Sequence, residues 1–108
     1  NNMASTKVYL NFVLEQLSGL DEISSRAMMG EFILYYRGKV FGGIYDDRLL
    51  VKPVPVAVKM MPDAEMEPPY DGAKKMILVD DVDNRQFLCE LVESMWEELP
   101  KKKEKNCK

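Results

Sequence analysis

The stretch that most constrains the fold is residues 26–52, in which three extended runs are separated by two tight turns. The runs are residues 32–36, 39–45 and 48–52, and the turns are Arg37-Gly38 and Asp46-Asp47. The runs are rich in β-branched and aromatic residues, which suit pleated strands. Pairs that contain Gly or Asp suit two-residue hairpin loops. The stretch therefore predicts a meander of antiparallel strands.

The first of these runs is apolar on both of its faces. Phe32, Leu34 and Tyr36 point to one side, whereas Ile33 and Tyr35 point to the other. Helices cover only one face of a two-layer domain, so the other face is predicted to be an aromatic-rich surface or a partner site. We therefore predict an interaction surface on the outer face of the meander and its last turn. Its candidate residues are Ile33, Tyr35, Phe41, Tyr45, Asp46, Asp47 and Arg48.

Two longer segments carry apolar side chains at helical spacing. Residues 5–18 predict the first helix, with Ser5 or Thr6 as its cap and a left-handed Gly19 at its end. Residues 83–99 predict the last helix, which Asp83 would cap and Pro100 would end. Both helices should pack on the sheet through apolar side chains. The four that we expect to be buried are Phe12, Leu17, Leu88 and Leu91.

The remaining segments predict shorter elements. Residues 24–29 predict a strand, followed by a bulge or bend at Gly30. A short helix over residues 56–61 begins after Pro55, residues 63–72 form a loop, and residues 76–79 are typical of a central strand. This order predicts an α+β fold with two layers, an antiparallel sheet covered on one face by the N- and C-terminal helices, with a short middle helix.

Length and composition indicate one globular domain. The chain has 108 residues, of which 46% are hydrophobic and 31% charged, and its net charge is -3. This charge argues against direct nucleic-acid binding, and no apolar run approaches the ~20 residues of a membrane span. We expect residues 1–3 to be an expression remnant or a start-site ambiguity, residues 4–100 a single domain, and residues 101–108 a charged flexible tail. We expect no signal peptide, because residues 4–20 are amphipathic.

The chain contains no His and only two Cys. Without His, a Ser-His-Asp triad, a Cys-His dyad and a His-ligated zinc site are impossible within this chain. Cys89 and Cys107 do not make a disulfide framework, which favours a reducing cytoplasm as the location. We therefore expect no catalytic residue, no metal ion and no organic cofactor.

Four small motifs have a chemical interpretation and a simpler structural one. The turn at residues 46–48 offers too few oxygens for Ca²⁺ and is typical of a hairpin. The acidic run at residues 80–83 lacks the glycine and distal glutamate of an EF-hand and suits a helix N-terminus. Gly42-Gly43 lies between strand segments, which favours a bulge over a phosphate cradle. The lysine-rich residues 101–105 favour a solvated tail over a nucleic-acid contact.

Tyrosines and methionines leave two interpretations open. Four tyrosines could form an interface hot spot or an ordinary sheet surface: Tyr35, Tyr36, Tyr45 and Tyr70. The chain also has eight methionines. These could line an adaptable binding groove, but methionine more often fills a core.

Several stretches together match the pattern of a known family. The most specific is residues 41–49, Phe-Gly-Gly-Ile-Tyr-Asp-Asp-Arg-Leu, which continues to Val51-Lys52. Residues 13–17, 26–30 and 34–38 also match, as do Pro69-Tyr70, Met76, Val79 and the closing helix. These stretches resemble the N-terminal domain of the TfoX/Sxy family of bacterial competence regulators. One departure is that the family's usual Met-Phe-Gly-Gly is Met28-Met29-Gly30-Glu31 here.

The resemblance implies both a fold and a role. It implies a helix–sheet–helix fold similar to secretion chaperones and a role in regulating competence or transcription through protein contacts. It brings no defined active site. Full competence regulators carry a second, helical domain, which we expect to be missing because the chain ends before one could form.

These observations favour a non-enzymatic regulatory or protein-interaction module. Its partner would be another protein or a second copy of the chain, with no membrane and no nucleic acid involved. The alternative is a stand-alone chaperone-like or homodimerising structural module. An enzyme or a direct DNA-binding protein is less favoured.

Overall fold

Four consecutive antiparallel strands form the first part of the sheet, as the sequence predicts. In the computed structural model, which describes residues 6–100, they are β1 (Ile23–Met28), β2 (Glu31–Tyr36), β3 (Lys39–Tyr45) and β4 (Arg48–Val51). Two-residue turns join them, and both residues of each turn have a positive φ: Met29-Gly30, Arg37-Gly38 and Asp46-Asp47. Two positive φ values characterise the type I′ turn, whose twist matches that of the flanking strands. Gly30 therefore lies in a hairpin turn and not in a bulge.

Two further strands complete the sheet. They are β5 (Met66–Glu67) and β6 (Met76–Leu78), and the strand order is β1-β2-β3-β4-β6-β5. The strand predicted near residues 76–79 is confirmed, with a neighbour on each side. The predicted loop over residues 63–72 contains β5, which is too short to leave a periodic signal in the sequence.

Three helices accompany the sheet. They are α1 (Lys7–Gln16), α2 (Pro55–Met60) and α3 (Arg85–Met95), and a single 3₁₀ turn, Trp96–Glu98, follows α3. Within residues 6–100, no helix combines the length and the apolar character that crossing a membrane requires. The predicted N-terminal, middle and C-terminal helices are thus all present, and the α+β fold class is confirmed.

The helix ends differ from the prediction in detail. Thr6 caps α1, since its hydroxyl accepts a hydrogen bond from the Tyr9 N–H at 3.2 Å. Asn84, and not Asp83, caps α3 by accepting from the Phe87 N–H at 3.1 Å. Asn and Asp have the same capping chemistry, so the pattern alone does not separate neighbouring positions. Gly19 does not adopt a positive φ. The other candidate cap, Ser5, lies outside the described residues, as do the predicted remnant and tail.

The hydrophobic core lies between the helices and one face of the sheet. Its fully buried side chains come from both the helices and the strands: Val13, Leu34, Ile44, Leu49, Val51, Ile77, Leu91 and Met95. Leu17 and Leu88 are also buried there, as predicted. The prediction for Phe12 is wrong, because this side chain is 40% exposed. Phe12 lies about 100° around α1 from Val13 and so points away from the buried stripe.

A β-bulge changes which way β3 side chains face. Leu34 pairs with Gly42 and Tyr35 pairs with Val40, so Phe41 is an extra residue between them. Phe41 is fully buried in the core. The prediction that it faces outward is wrong, because a bulge interrupts the alternation on which that prediction depends. The bulge adjoins Gly42-Gly43, where the sequence favoured one.

Candidate protein-interaction surface

The outer face of the sheet is the side opposite the hydrophobic core. Ile33 pairs with Gly43, and Gly43 pairs with Leu50, so these residues form one row across the outer face. The neighbouring row, Phe32, Ile44 and Leu49, belongs to the core. The buried apolar residues of α1, α2 and α3 all belong to that core as well. The helices therefore pack on the inner face of the sheet.

One half of the outer face is open to solvent. Ile33 and Tyr35 are half-buried there, and their partners on β1 are Arg26 and Ser24, which are exposed. Met28 lies on the same side, opposite Glu31, and is 46% exposed. We call Arg26, Met28, Ile33 and Tyr35 the open half. It combines apolar, aromatic and cationic groups on the edge strand β1 and its neighbour β2.

The other half of the outer face is covered. Leu50 is fully buried and Tyr45 is 7% exposed, although neither belongs to the core. The Tyr45 ring crosses Gly43, because a Cβ atom at Gly43 would lie 2.8 Å from both Cε1 and the hydroxyl oxygen of Tyr45. The prediction that Tyr45 is exposed on this face is therefore wrong. Burial, with smaller contributions from the Glu31 carboxylate and Tyr70, raises the pKa of Tyr45.

The β3–β4 turn contains the three charged candidates, and two of them hold the fold together. Asp47 accepts a hydrogen bond from the Thr6 N–H at 2.8 Å. The Arg48 guanidinium donates to the Tyr45 carbonyl at 3.1 Å and forms an ion pair with Glu67 of β5. Asp46 is exposed at the tip. These bonds support the interpretation of residues 46–48 as a structural turn.

A groove of about 680 Å³ borders the covered half. We call it the proline groove, after Pro53, Pro55, Pro69 and Pro100, which line it together with Tyr45 and Tyr70. Three lysines also line it: Lys52, Lys74 and Lys75. Sequence reasoning missed this groove, because its walls come from four separated parts of the chain. The prolines were the available signal, and in the sequence they marked only the ends of elements.

The remaining candidate groups stay apart in the structure. Among residues 6–100, no three His, Cys, Asp or Glu residues lie close enough together to hold a metal ion. Cys89 is half-buried, and its thiol lies 3.5 Å from the Gln16 carbonyl oxygen.

Met95 fills the core, whereas Met29 is 94% exposed. The methionines therefore serve both as core and as surface.

The tyrosines are divided in a similar way. Tyr36 is a core residue, and Tyr45 is buried against the outer face. Tyr35 is half-buried in the open half, and Tyr70 is 60% exposed at the proline groove. The four tyrosines therefore do not form one hot spot.

Comparison with known proteins gives two matches. A family model described as the TfoX N-terminal domain matches residues 15–99. A protein of Spirochaeta aurantia, described as an uncharacterized 12.7 kDa protein in the trpE 5′ region, is 35% identical over 80 residues. Those residues make up 74% of this chain and 70% of that protein. No solved structure matches the chain significantly.

Proposed function

The chain belongs to the TfoX N-terminal domain family, and from this premise we propose that it is a non-enzymatic regulatory module that acts through protein contacts. The observation that carries the proposal is the position of Ile33 and Tyr35, half-buried on the sheet face away from the helices. We propose, from the resemblance of the sequence to competence regulators, that the regulated process is bacterial competence or transcription.

The physical argument is that the open half suits a protein partner. Antiparallel sheets with one solvated face normally carry polar side chains on it. Here Ile33 and Tyr35 are apolar or aromatic, and the exposed Met28 extends the patch toward the β1–β2 turn. Contiguous apolar patches mark interaction sites, and tyrosine is enriched in interface hot spots. Arg26, which pairs with Ile33, adds a charge that can set the partner's orientation.

A second candidate function is homodimerisation, and the position of β1 favours it. β1 lies at the edge of the sheet and has six residues, five of which are exposed. Edge strands present unpaired backbone groups to which another strand can bond. Two copies that pair through β1 would form a two-fold dimer with the two open halves on one continuous sheet.

The experiment compares wild type with Tyr35→Glu, which places a charge in the open half. Val8→Glu is the matched control, because Val8 is 79% exposed on α1 and receives the same charge. Tyr35→Ser serves as a second, uncharged variant, and circular dichroism checks that each protein is folded. Each protein is tested by sedimentation at high concentration and by quantitative capture of proteins from the native cell.

We expect Tyr35→Glu to lose captured proteins, or dimerisation, that Val8→Glu retains. Loss of a captured protein identifies the regulatory module, and loss of the dimer alone identifies the structural alternative. If folded wild type and Tyr35 variants are equally monomeric and capture the same proteins, the open half is an ordinary surface and the proposal is wrong.

A further inference from the structure

We infer that the proline groove binds a short peptide segment that combines acidic and apolar side chains. The inference rests on the proposed function, in which the chain acts through protein contacts, and it names the chemistry of one partner segment. The groove lies beside Tyr45 and Tyr70. It is separate from the open half, because none of Arg26, Met28, Ile33 and Tyr35 lines it.

The walls of the groove suit apolar side chains. Its volume of about 680 Å³ lies in the range of ligand-binding pockets, about 300–1000 Å³. Four prolines line it, and proline fixes φ, so these walls lose little conformational freedom when a ligand binds. Val40 and Met76 add aliphatic surface. Tyr70, 60% exposed, supplies an aromatic ring that a bound segment can cover.

The charges around the groove favour an acidic ligand. Lys52, Lys74 and Lys75 line it, whereas Glu98 is its only acidic lining residue in the described part of the chain. The Glu98 carboxylate already accepts a hydrogen bond from the Val56 N–H at 2.8 Å. Within residues 6–100, Arg37, Arg48 and Arg85 form ion pairs, whereas none of the three groove lysines does. The groove is thus a basic site on a chain whose net charge is -3, and charge complementarity selects acidic partners.

Charge and chemistry disfavour two other occupants. The chain's own residues 101–108 contain five lysines and one glutamate, so the groove lysines would repel them. Single-stranded nucleic acid binds to grooves in which several aromatic rings stack on bases. The aliphatic and proline walls offer little such surface, and the net charge of the chain is unfavourable.

The first test is selection from a displayed library of random heptapeptides on the immobilised full chain. We expect the selected peptides to be enriched in Asp and Glu together with Leu, Ile, Val or Phe. A fluorescein-labelled copy of the most enriched peptide then gives a dissociation constant by anisotropy. A selection that yields no acidic and apolar enrichment overturns the inference, and so does equal or tighter binding of a labelled oligothymidine.

The second test uses charge reversal at the groove. Lys74→Glu/Lys75→Glu should weaken binding of the selected peptide by about tenfold or more, because both lysines are exposed and line the groove. Lys7→Glu/Lys59→Glu is the matched control, since both residues are exposed, lie outside the groove and change the net charge equally. Tyr70→Ser should also weaken binding. Equal weakening by the two double variants would mean general electrostatic attraction and would overturn the inference.

The two proposals fail separately. Tyr35→Ser, which adds no charge, should leave peptide binding at the proline groove unchanged, since Tyr35 does not line the groove. If the peptide-binding tests fail but the Tyr35 variants lose a captured protein or the dimer, the open half remains the working surface. If the Tyr35 variants behave like wild type but the peptide binds as expected, the groove is a peptide-binding site and the open half has no role.

Discussion

Asp47 in the β3–β4 turn accepts a hydrogen bond at 2.8 Å from the backbone N–H of Thr6, which lies 41 residues earlier in the chain. Thr6 is also the residue whose hydroxyl caps α1. The bond therefore joins the turn of the meander to the start of the first helix. This acidic turn, which the sequence offered as part of an interaction surface, thus holds the residue that caps α1 in place.

The first prediction tests this bond by removing the Asp47 side chain. Asp46 and Asp47 both have a positive φ, which glycine tolerates, so Asp47→Gly and the control Asp46→Gly change the backbone energy similarly. We expect Asp47→Gly to lower the free energy of unfolding by about 1 kcal/mol more than Asp46→Gly. Urea denaturation of both variants measures the difference. Equal stabilities would show that the bond contributes nothing.

The second prediction concerns the glycine pair of β3. A Cβ atom at Gly42 would lie 2.2 Å from the Leu50 carbonyl oxygen, and one at Gly43 would lie 2.7 Å from the Phe32 carbonyl oxygen. These neighbours are backbone atoms, so Gly42→Ala and Gly43→Ala should each destabilise the fold by at least about 2 kcal/mol. Gly19→Ala is the control, because its nearest neighbour is 3.6 Å away. Thermal unfolding measures the stability of all three variants. The prediction is contradicted if Gly42→Ala and Gly43→Ala are as stable as Gly19→Ala.

The third prediction compares two residues that the sequence pattern treats alike. Leu91 is fully buried, whereas Phe12 is 40% exposed. Leu91→Ala should cost about 2–5 kcal/mol, because it removes core contacts and leaves a cavity. Phe12→Ala should cost about 1 kcal/mol or less. Chemical denaturation at equal protein concentration checks both, and a Phe12→Ala cost as large as that of Leu91→Ala would contradict the placement of Phe12.

The fourth prediction is a loss of stability in alkali. Burial and the nearby Asp47 carboxylate raise the pKa of Tyr9, although a backbone hydrogen bond to Leu49 lowers it, and burial raises the pKa of Tyr45. Because these folded-state pKa values lie above the ordinary 10.0, the folded state keeps protons that the unfolded state releases. The free energy of unfolding should therefore fall as the pH rises from 10.0 through the folded pKa values.

The measurement is the urea midpoint at about pH 9 and about pH 11. Tyr9→Phe/Tyr45→Phe should lose less stability between the two pH values than wild type does. Tyr35→Phe serves as the control, because Tyr35 contributes to neither of these two shifts. If the double variant loses as much stability between the two pH values as wild type does, the two tyrosines are not the cause of the loss in alkali.

The elements that the sequence predicts correctly are those encoded by nearby residues. The meander follows from alternating apolar residues and two-residue turns, and the bounds of β3 are the predicted ones. Each turn places both residues at positive φ, a property set by the loop length and the strand twist. Leu17 at the end of α1 is buried, as are Leu88 and Leu91 on α3, because helical spacing places each of them on the apolar stripe of its own helix.

The candidate site was predictable only in part. Ile33 and Tyr35 lie on the outer face because simple alternation along β2 holds. For Phe41 the bulge breaks that alternation, and Tyr45 is on the expected face but folds over Gly43. The role of this face as an interaction surface stays a prediction.

By itself, the sequence determined the strand pattern, the fold class and the family, because these depend on spacing within short stretches and on shared motifs. The tertiary structure alone decided that Asp47 holds Thr6, that Arg48 binds Glu67, and that prolines far apart in the chain line one groove. Such contacts join residues through the packed arrangement of distant elements. Local propensity and periodicity carry no information about those distances, so these features became visible only once the chain was folded.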